Sequence, residues 1–140
     1  MSLWKKLFGA KESGAPLPFI DNKDGTVTDS KTGLMWQKTD DGKPRYGSEA
    51  RQYAGSLKLA RHSDWRLPSE VELLSLWENA GSKKEIRERF FPGMRSSTYY
   101  YSDTYVGGNT ESWMSFEDGR RYRSGSHFHY VRCVRSGAAR

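Results

Sequence analysis

Few residues in this chain have the types and spacing that chemistry requires. Cys133 is the single cysteine, so no intrachain disulfide can form. The flanking Arg132 and Arg135 could lower the pKa of its thiol. Strand alternation, however, places Cys133 with Val131 on an apolar face, and free cysteines are among the most buried residues. The sequence therefore predicts a buried, unreactive thiol.

The histidines, carboxylates and serines give no stronger site. His127 and His129 share one face of a predicted strand, but two histidines without a third ligand are a weak metal signal. A calcium loop around Gly25 fails on spacing, because Ile20 and Lys31 fall where acidic ligands are needed. No serine has triad or nucleophile-elbow spacing, and there is no Gly-rich phosphate loop. The sequence predicts no enzyme, no cofactor and no metal.

The net charge of +6 is concentrated near the C-terminus. The residues up to Asp118 hold 17 basic and 17 acidic side chains, and no carboxylate side chain follows. Guanidinium forks bind sulfate, carboxylate and phosphate in a bidentate way, so this segment favours an anionic glycan or another polyanion. The alternative is a solvated strand surface with a basic tail. The arginines after Asp118 are Arg120, Arg121, Arg123, Arg132, Arg135 and Arg140.

A cluster of aromatic residues precedes these arginines. Adjacent strand residues point to opposite faces, so part of the run from Tyr99 to Tyr101 should be core and part outward. An outward tyrosine beside short polar groups suits a sugar or a peptide. If the arginine hairpin borders the same loop, the candidate ligand-binding residues are Tyr100, Tyr101, Asp103, Tyr105, Asn109, Trp113, Arg120, Arg121 and Arg123.

The N-terminal residues form an amphipathic pattern that Gly9 ends. A helix this short is unstable alone, since about 12–15 residues are needed in water. It should order against a membrane surface, a partner or the rest of the chain. No secretory signal or membrane-spanning run is visible, which predicts a cytoplasmic protein that can associate with a membrane surface. The contact candidates are Leu3, Trp4, Leu7 and Phe8 on one face, with Lys5 and Lys6 on the other.

The elements that position these residues are organised around residues 65–72. Pro68 prevents an earlier helix start, and Ser69 with Glu72 has capping-box spacing. We expect Trp65 in the core and Arg66 in a structural ion pair or loop hydrogen bonds, with Asp64 as its neighbour. Trp36 is also predicted to be structural. The helix from Ser69 should end at Gly81.

The remaining pattern predicts an α+β fold. Two hairpins come first, with turns at residues 22–25 and 30–33. Ser48 then caps a first helix, and residues 82–90 form a third short helix after the one at Ser69. Strands follow at 98–102, 112–116 and 120–124, and a final strand covers 127–135. The predicted division is 1–18 amphipathic segment and linker, 19–135 domain, and 136–140 flexible tail.

Five stretches, in this order, resemble the bacterial Lcl C-terminal domain family, named after a collagen-like adhesin. They are residues 21–37 (DNKDGTVTDSKTGLMWQ), 63–69 (SDWRLPS), 100–102 (YYS), 116–119 (FEDG) and 130–135 (YVRCVR). The Trp-Arg-Leu-Pro-Ser-Glu run is also similar to formylglycine-generating-enzyme-like domains. Both resemblances imply a C-type-lectin-like fold, with two helices on small antiparallel sheets, adjacent chain ends and a variable ligand loop.

The resemblance also implies a departure at one cysteine. Family members commonly carry one cysteine in the first helix and another in the last strand, which look placed to pair; this chain has Cys133 in the strand but Ala54 at the helix position. The unpaired Cys133 favours a cytoplasmic version of a usually exported domain. It also removes the paired cysteines on which formylglycine-generating chemistry depends.

These observations predict a non-enzymatic, lectin-like binding module for anionic glycans or another polyanion. The alternative is an intracellular interaction module that residues 1–9 tether to a membrane surface or a partner. Specific nucleic-acid binding is not predicted, because no recognised motif or groove-reading helix is visible.

Overall fold

The structure is a computed structural model that describes residues 18–96, 98–103, 110–122 and 128–136. Its strands are β1 Phe19–Asp21, β2 Thr26–Asp29, β3 Met35–Gln37, β4 Thr98–Asp103, β5 Thr110–Ser115, β6 Arg121–Tyr122 and β7 Val134–Arg135. Its helices are α1 Gly47–Ser56, α2 Glu70–Leu76 and α3 Lys84–Phe90, and α2 continues as a π-helical turn, Trp77–Gly81. The predicted α+β class is confirmed. The C-type-lectin-like assignment stays a prediction.

The strands form two small antiparallel sheets, in the orders β1-β2-β3-β7 and β4-β5-β6. The two predicted hairpins build the first sheet, and Gly25 and Gly33 in their turns adopt positive φ. The last strand pairs with β3, where Trp36 lies opposite Val134. The first and last described strands thus share one sheet, on its opposite edges.

The predicted corner before α2 is confirmed. The Ser69 hydroxyl accepts from the Glu72 amide at 3.2 Å, and the Glu72 carboxylate accepts from the Ser69 amide at 2.9 Å. Arg66 donates two hydrogen bonds to the same carboxylate, at 2.7 and 2.9 Å. Burial acts to raise the pKa of Glu72, but the bonds from Arg66 and Ser69 outweigh it, so the pKa is lowered.

One detail of that corner differs from expectation. Asp64 does not pair with its neighbour Arg66, because two hydrogen bonds from Arg135, at 2.6 and 3.0 Å, bind its carboxylate. The main chain of Arg66 bonds Val134 in both directions at 3.0 Å. Trp65 is buried, as predicted. The corner is therefore joined to the last strand as well as to the helix.

The second sheet lies between two apolar clusters, one on each face. Met114 and Tyr99 are cross-strand partners and pack in a cluster with Leu73 of α2. Trp113, the neighbour of Met114, packs in the other cluster with Ala54 of α1. Since successive strand residues point to opposite faces, β5 contributes alternately to both clusters.

Two boundaries differ from the sequence prediction. The final strand does not run over 127–135; within the described part of that segment, only Val134–Arg135 forms a strand, with isolated bridges at His129 and Tyr130. Val131, Arg132, Cys133 and Val134 are all buried, so the alternation expected of an extended strand is absent here. The first helix begins at Gly47 with Tyr46 as its N-cap, so Ser48 lies inside the helix and does not cap it.

The second helical segment ends at Gly81 as predicted, but its last turn is π-helical, because the Ser82 amide donates to the Trp77 carbonyl at 2.7 Å. The Trp77 indole donates to the Phe116 carbonyl at 3.1 Å. A Cβ on Gly119, whose φ is +78°, would lie 2.9 Å from the Trp77 ring. The turn between β5 and β6 therefore requires glycine at position 119, both for its backbone conformation and for its packing against Trp77.

We expect Gly119→Ala to lower the free energy of unfolding by about 2–4 kcal/mol, from left-handed backbone strain of about 1–2 kcal/mol plus overpacking. Gly93→Ala is the matched control, because Gly93 has φ +80° but open space around the added carbon. It should cost only the backbone share, about 1–2 kcal/mol. Urea unfolding of both variants measures the difference, and equal losses would contradict the packing argument.

Candidate functional site

A row of stacked rings crosses the face of the second sheet that packs toward α1. The Trp113 ring lies 6.1 Å from Tyr122 with planes 16° apart, and 4.3 Å from His129 with planes 18° apart. Trp113 and Tyr122 are cross-strand partners, so the sheet register sets the first contact. Tyr122 is 43% exposed, while Trp113 and His129 are buried. The row thus ends in a ring that is open to solvent and supported by stacking from below.

A second aromatic pair is exposed next to this row. The rings of Tyr46 and Phe128 lie 4.1 Å apart, and the two residues are 44% and 54% exposed. The main chains of Arg45 and His129 hold them together by reciprocal hydrogen bonds of 2.9 and 3.0 Å. Exposed large rings in contact are more informative than single ones, because surface apolar groups that cluster mark interaction sites.

A groove of about 640 Å³ runs beside this pair, between the loop before α1 and the helix itself. It is a shallow depression that is open to solvent and not an enclosed cavity. Its lining combines polar and apolar surface and includes Lys43, Pro44, Arg45, Glu49, Gln52 and Tyr53.

Two aromatic and ionic contacts fix the wall of the groove. The Arg45 guanidinium lies 4.0 Å above the Tyr53 ring centroid and donates two hydrogen bonds to Asp41, at 3.0 and 2.7 Å. The hydrogen bond from Arg45 keeps the pKa of Asp41 below its usual value. The Tyr53 hydroxyl accepts a hydrogen bond from the side-chain amide of Gln37 at 3.0 Å, and burial raises the pKa of Tyr53.

The structure separates one predicted arginine, Arg121, from the predicted aromatic residue Trp113. Arg121 lies opposite Met114 and pairs with Glu70 of α2 at 3.1 Å, whereas Tyr122 lies opposite Trp113. Arg121 and Trp113 therefore belong to opposite faces of the sheet. Arg120, whose side chain is 78% exposed, contacts Asp118 at 3.5 Å.

The other candidates are only partly described. The backbones of Tyr100, Tyr101 and Asp103 lie in β4, opposite Trp113, Ser112 and Thr110. The remaining candidates lie outside the described residues: Tyr105, Asn109, Arg123, His127, Arg140 and the N-terminal Leu3, Trp4, Lys5, Lys6, Leu7 and Phe8.

Arg132, which the sequence analysis counted among the arginines that favour an anionic ligand, lies in the core. Its side chain is fully buried and donates to the Gln37 and Lys38 carbonyls at 2.8 and 2.7 Å, and to the Tyr99 hydroxyl at 3.2 Å. The Tyr99 hydroxyl in turn donates to Asp40 at 2.8 Å. Neither charge counting nor periodicity signals this burial. Arg132 is a structural residue and is not available to an anionic ligand.

Cys133 is buried, as predicted, and shares a cluster with Val131. Burial raises the pKa of its thiol to about 12, so it stays protonated near neutral pH. Arg132 opposes this shift only weakly, because desolvation dominates. Across residues 18–96, 98–103, 110–122 and 128–136, no group of three or more His, Cys, Asp or Glu side chains could hold a metal ion.

The geometry defines an α+β domain with exposed aromatic residues and a polar groove on one side. The family model described as "Lcl C-terminal domain" matches residues 25–135, which is most of the chain. The chain therefore belongs to the Lcl C-terminal domain family, and the resemblance seen in its sequence is confirmed. A comparison with curated proteins found no match. None of the described helices is long and apolar enough to cross a membrane.

We expect Cys133 to be inert toward thiol reagents in the folded protein. Thiolate is the reactive form, and a pKa of about 12 leaves almost none of it near neutral pH. A colorimetric disulfide reagent should label the chain only after denaturation. Labelling of the native protein at the rate of a free thiol would contradict the burial.

Proposed function

We propose that this member of the family is a non-enzymatic module that binds anionic glycans at the β5–β6 hairpin. The observation that carries the proposal is the half-exposed Tyr122 ring, which stacks on Trp113 within the same hairpin as the largely exposed Arg120. Arg121 belongs to this hairpin too, but on its other face. A ring already held by stacking offers a flat surface to a sugar and loses little rotamer freedom on binding.

The ion pairs of the hairpin arginines do not prevent this role. Exposed pairs contribute only about 0–1 kcal/mol, since water screens them and long side chains lose entropy in forming them. The contact between Arg120 and Asp118 is long, at 3.5 Å, and both side chains are largely exposed. A sulfate or carboxylate can replace Asp118 at little cost and accept a bidentate hydrogen bond from the guanidinium.

The state of Cys133 agrees with a binding role for this module. The thiol of Cys133 is protonated and buried. The perturbed carboxylates Asp21, Asp41, Asp64 and Glu72 owe their lowered pKa values to hydrogen bonds from basic side chains, which suits ion pairs that stabilise the fold.

Replacing Arg120, Arg121 and Arg123 together by Gln should weaken binding to immobilised heparin about tenfold. Each lost contact is expected to cost about 0.5 kcal/mol, which sums to about one decade in Kd. Binding of the unchanged chain should fall as salt rises, because exposed charges are screened.

The matched control removes the same charge elsewhere, by Lys23→Gln, Lys31→Gln and Lys58→Gln, all at exposed positions outside the hairpin. It should change the affinity less than twofold. An equal loss in both triple variants would mean diffuse charge attraction. Binding that does not depend on salt, or none on a panel of sulfated and carboxylated glycans, would refute the proposal.

The amphipathic pattern of residues 1–9 supports a second candidate, tethering to a membrane surface. An apolar face of Leu3, Trp4, Leu7 and Phe8 opposite Lys5 and Lys6 is typical of interfacial helices that prefer anionic lipid. The cytoplasmic location inferred from the sequence stays a prediction alongside it.

The full chain should float with vesicles that contain anionic lipid, while a chain lacking residues 1–18 should not. The control is a full chain with Leu3, Trp4, Leu7 and Phe8 changed to Ser, which keeps both lysines. Equal flotation of all three chains would exclude tethering by this segment.

A further inference from the structure

The surface that carries the Tyr46–Phe128 pair adjoins the groove beside α1 through the chain. Tyr46 lies between the groove residues Arg45 and Glu49 in the sequence, and the Glu49 carboxylate accepts a hydrogen bond from the Tyr46 amide at 3.1 Å. The ring of Phe128 packs against Tyr46. We infer that this surface is a saccharide-binding site, in which a pyranose ring stacks on the aromatic pair and its hydroxyl groups enter the groove.

The wall of the groove is preorganised, because contacts within the protein already hold its side chains in place. Arg45 is fixed from two directions, by its bidentate contact with Asp41 and by the Tyr53 ring beneath it. Tyr53 is fixed in turn by its hydrogen bond with Gln37. A wall that does not have to order on binding preserves more of the contact energy as affinity.

The free polar groups of the groove match hydroxyl groups. Within the described part of the chain, neither the Gln52 amide nor the Lys43 ammonium has a hydrogen-bond partner. An amide can donate and accept, and an ammonium can donate. Together with the Glu49 carboxylate, they provide both hydrogen-bond donors and acceptors, which a polyhydroxylated ligand needs.

The main chain around the groove argues against a peptide ligand. Extended peptides commonly gain affinity by pairing with an exposed strand edge. Here the amide and carbonyl of Arg45 are both bonded to His129, and the opposite wall is α1, whose main chain beyond the first turn bonds within the helix. Recognition at the groove must therefore use side chains, which favours a sugar over a main-chain hydrogen-bonding partner.

This inference rests on the proposed function for its ligand class, but it uses different residues and a different physical contact. The hairpin acts through charge, and at 1 M salt the screening length for charge interactions is only about 3 Å. The groove acts through stacking and hydrogen bonds, which salt leaves largely intact. The two sites can therefore be separated by salt concentration.

The test measures the full chain on an array of neutral and sulfated oligosaccharides, at about 0.15 M and about 1 M salt. We expect binding of a neutral oligosaccharide that survives at the higher salt. Tyr46→Ala with Phe128→Ala should weaken that binding about tenfold or more, since two stacking surfaces are lost. Gln52→Ala should weaken it severalfold without touching either ring.

Ile20→Ala with Val71→Ala is the matched control, because it removes two exposed apolar side chains elsewhere on the surface. It should leave the high-salt binding unchanged, and the hairpin arginine variant should too. No salt-resistant saccharide binding, or equal binding by the ring variant and the control, would overturn the groove site while leaving the hairpin proposal standing. The two sites act separately if the hairpin variant loses only the binding of sulfated glycans at low salt, while the ring variant keeps that binding. Selection of peptides and no sugar by the groove would overturn the inference.

Discussion

The fold depends on one buried cation, Arg132. Taking a guanidinium out of water is costly, and the protein offsets this by surrounding it with oxygen atoms at the junction of the two sheets. The carbonyls of Gln37 and Lys38 come from the end of β3, and the Tyr99 hydroxyl comes from β4. Asp40 accepts from Tyr99 and lies 3.8 Å from the guanidinium. Truncation of such a group typically costs about 3–5 kcal/mol, because its partners are left unpaired.

The same junction positions the candidate site. Arg132 separates a segment that carries Phe128 and His129 from the strand that closes the first sheet. With Arg132 anchored, His129 bonds the main chain of Arg45 and stacks on Trp113, and Phe128 covers Tyr46. The exposed aromatic surface is thus carried by a segment that lies next to a buried polar contact.

Local rules in the sequence predicted local structure well. The Ser69 and Glu72 spacing was sufficient for the capping box, and the glycines at 25 and 33 for both hairpin turns. The separation of Arg121 from Trp113 could also have been predicted, because period-two alternation and the hairpin register imply it. Contacts between distant residues carried no such signal. The stack of Trp113 on His129 and the groove between residues 43–45 and α1 arise only from tertiary packing, and the burial of Arg132 contradicts what its charge favours.

Net charge is therefore a poor guide to the ligand surface here. Of the arginines after Asp118, Arg132 is buried and Arg135 binds Asp64. An exposed arginine such as Arg120 can exchange its carboxylate partner for an anionic ligand at a small cost in free energy. A buried guanidinium would lose several hydrogen bonds at once. The aromatic surface has no such internal competitor, since a stacked ring keeps its outer face whether or not a ligand is present. Specificity should therefore follow the rings and the groove, while the arginines adjust affinity for negative charge.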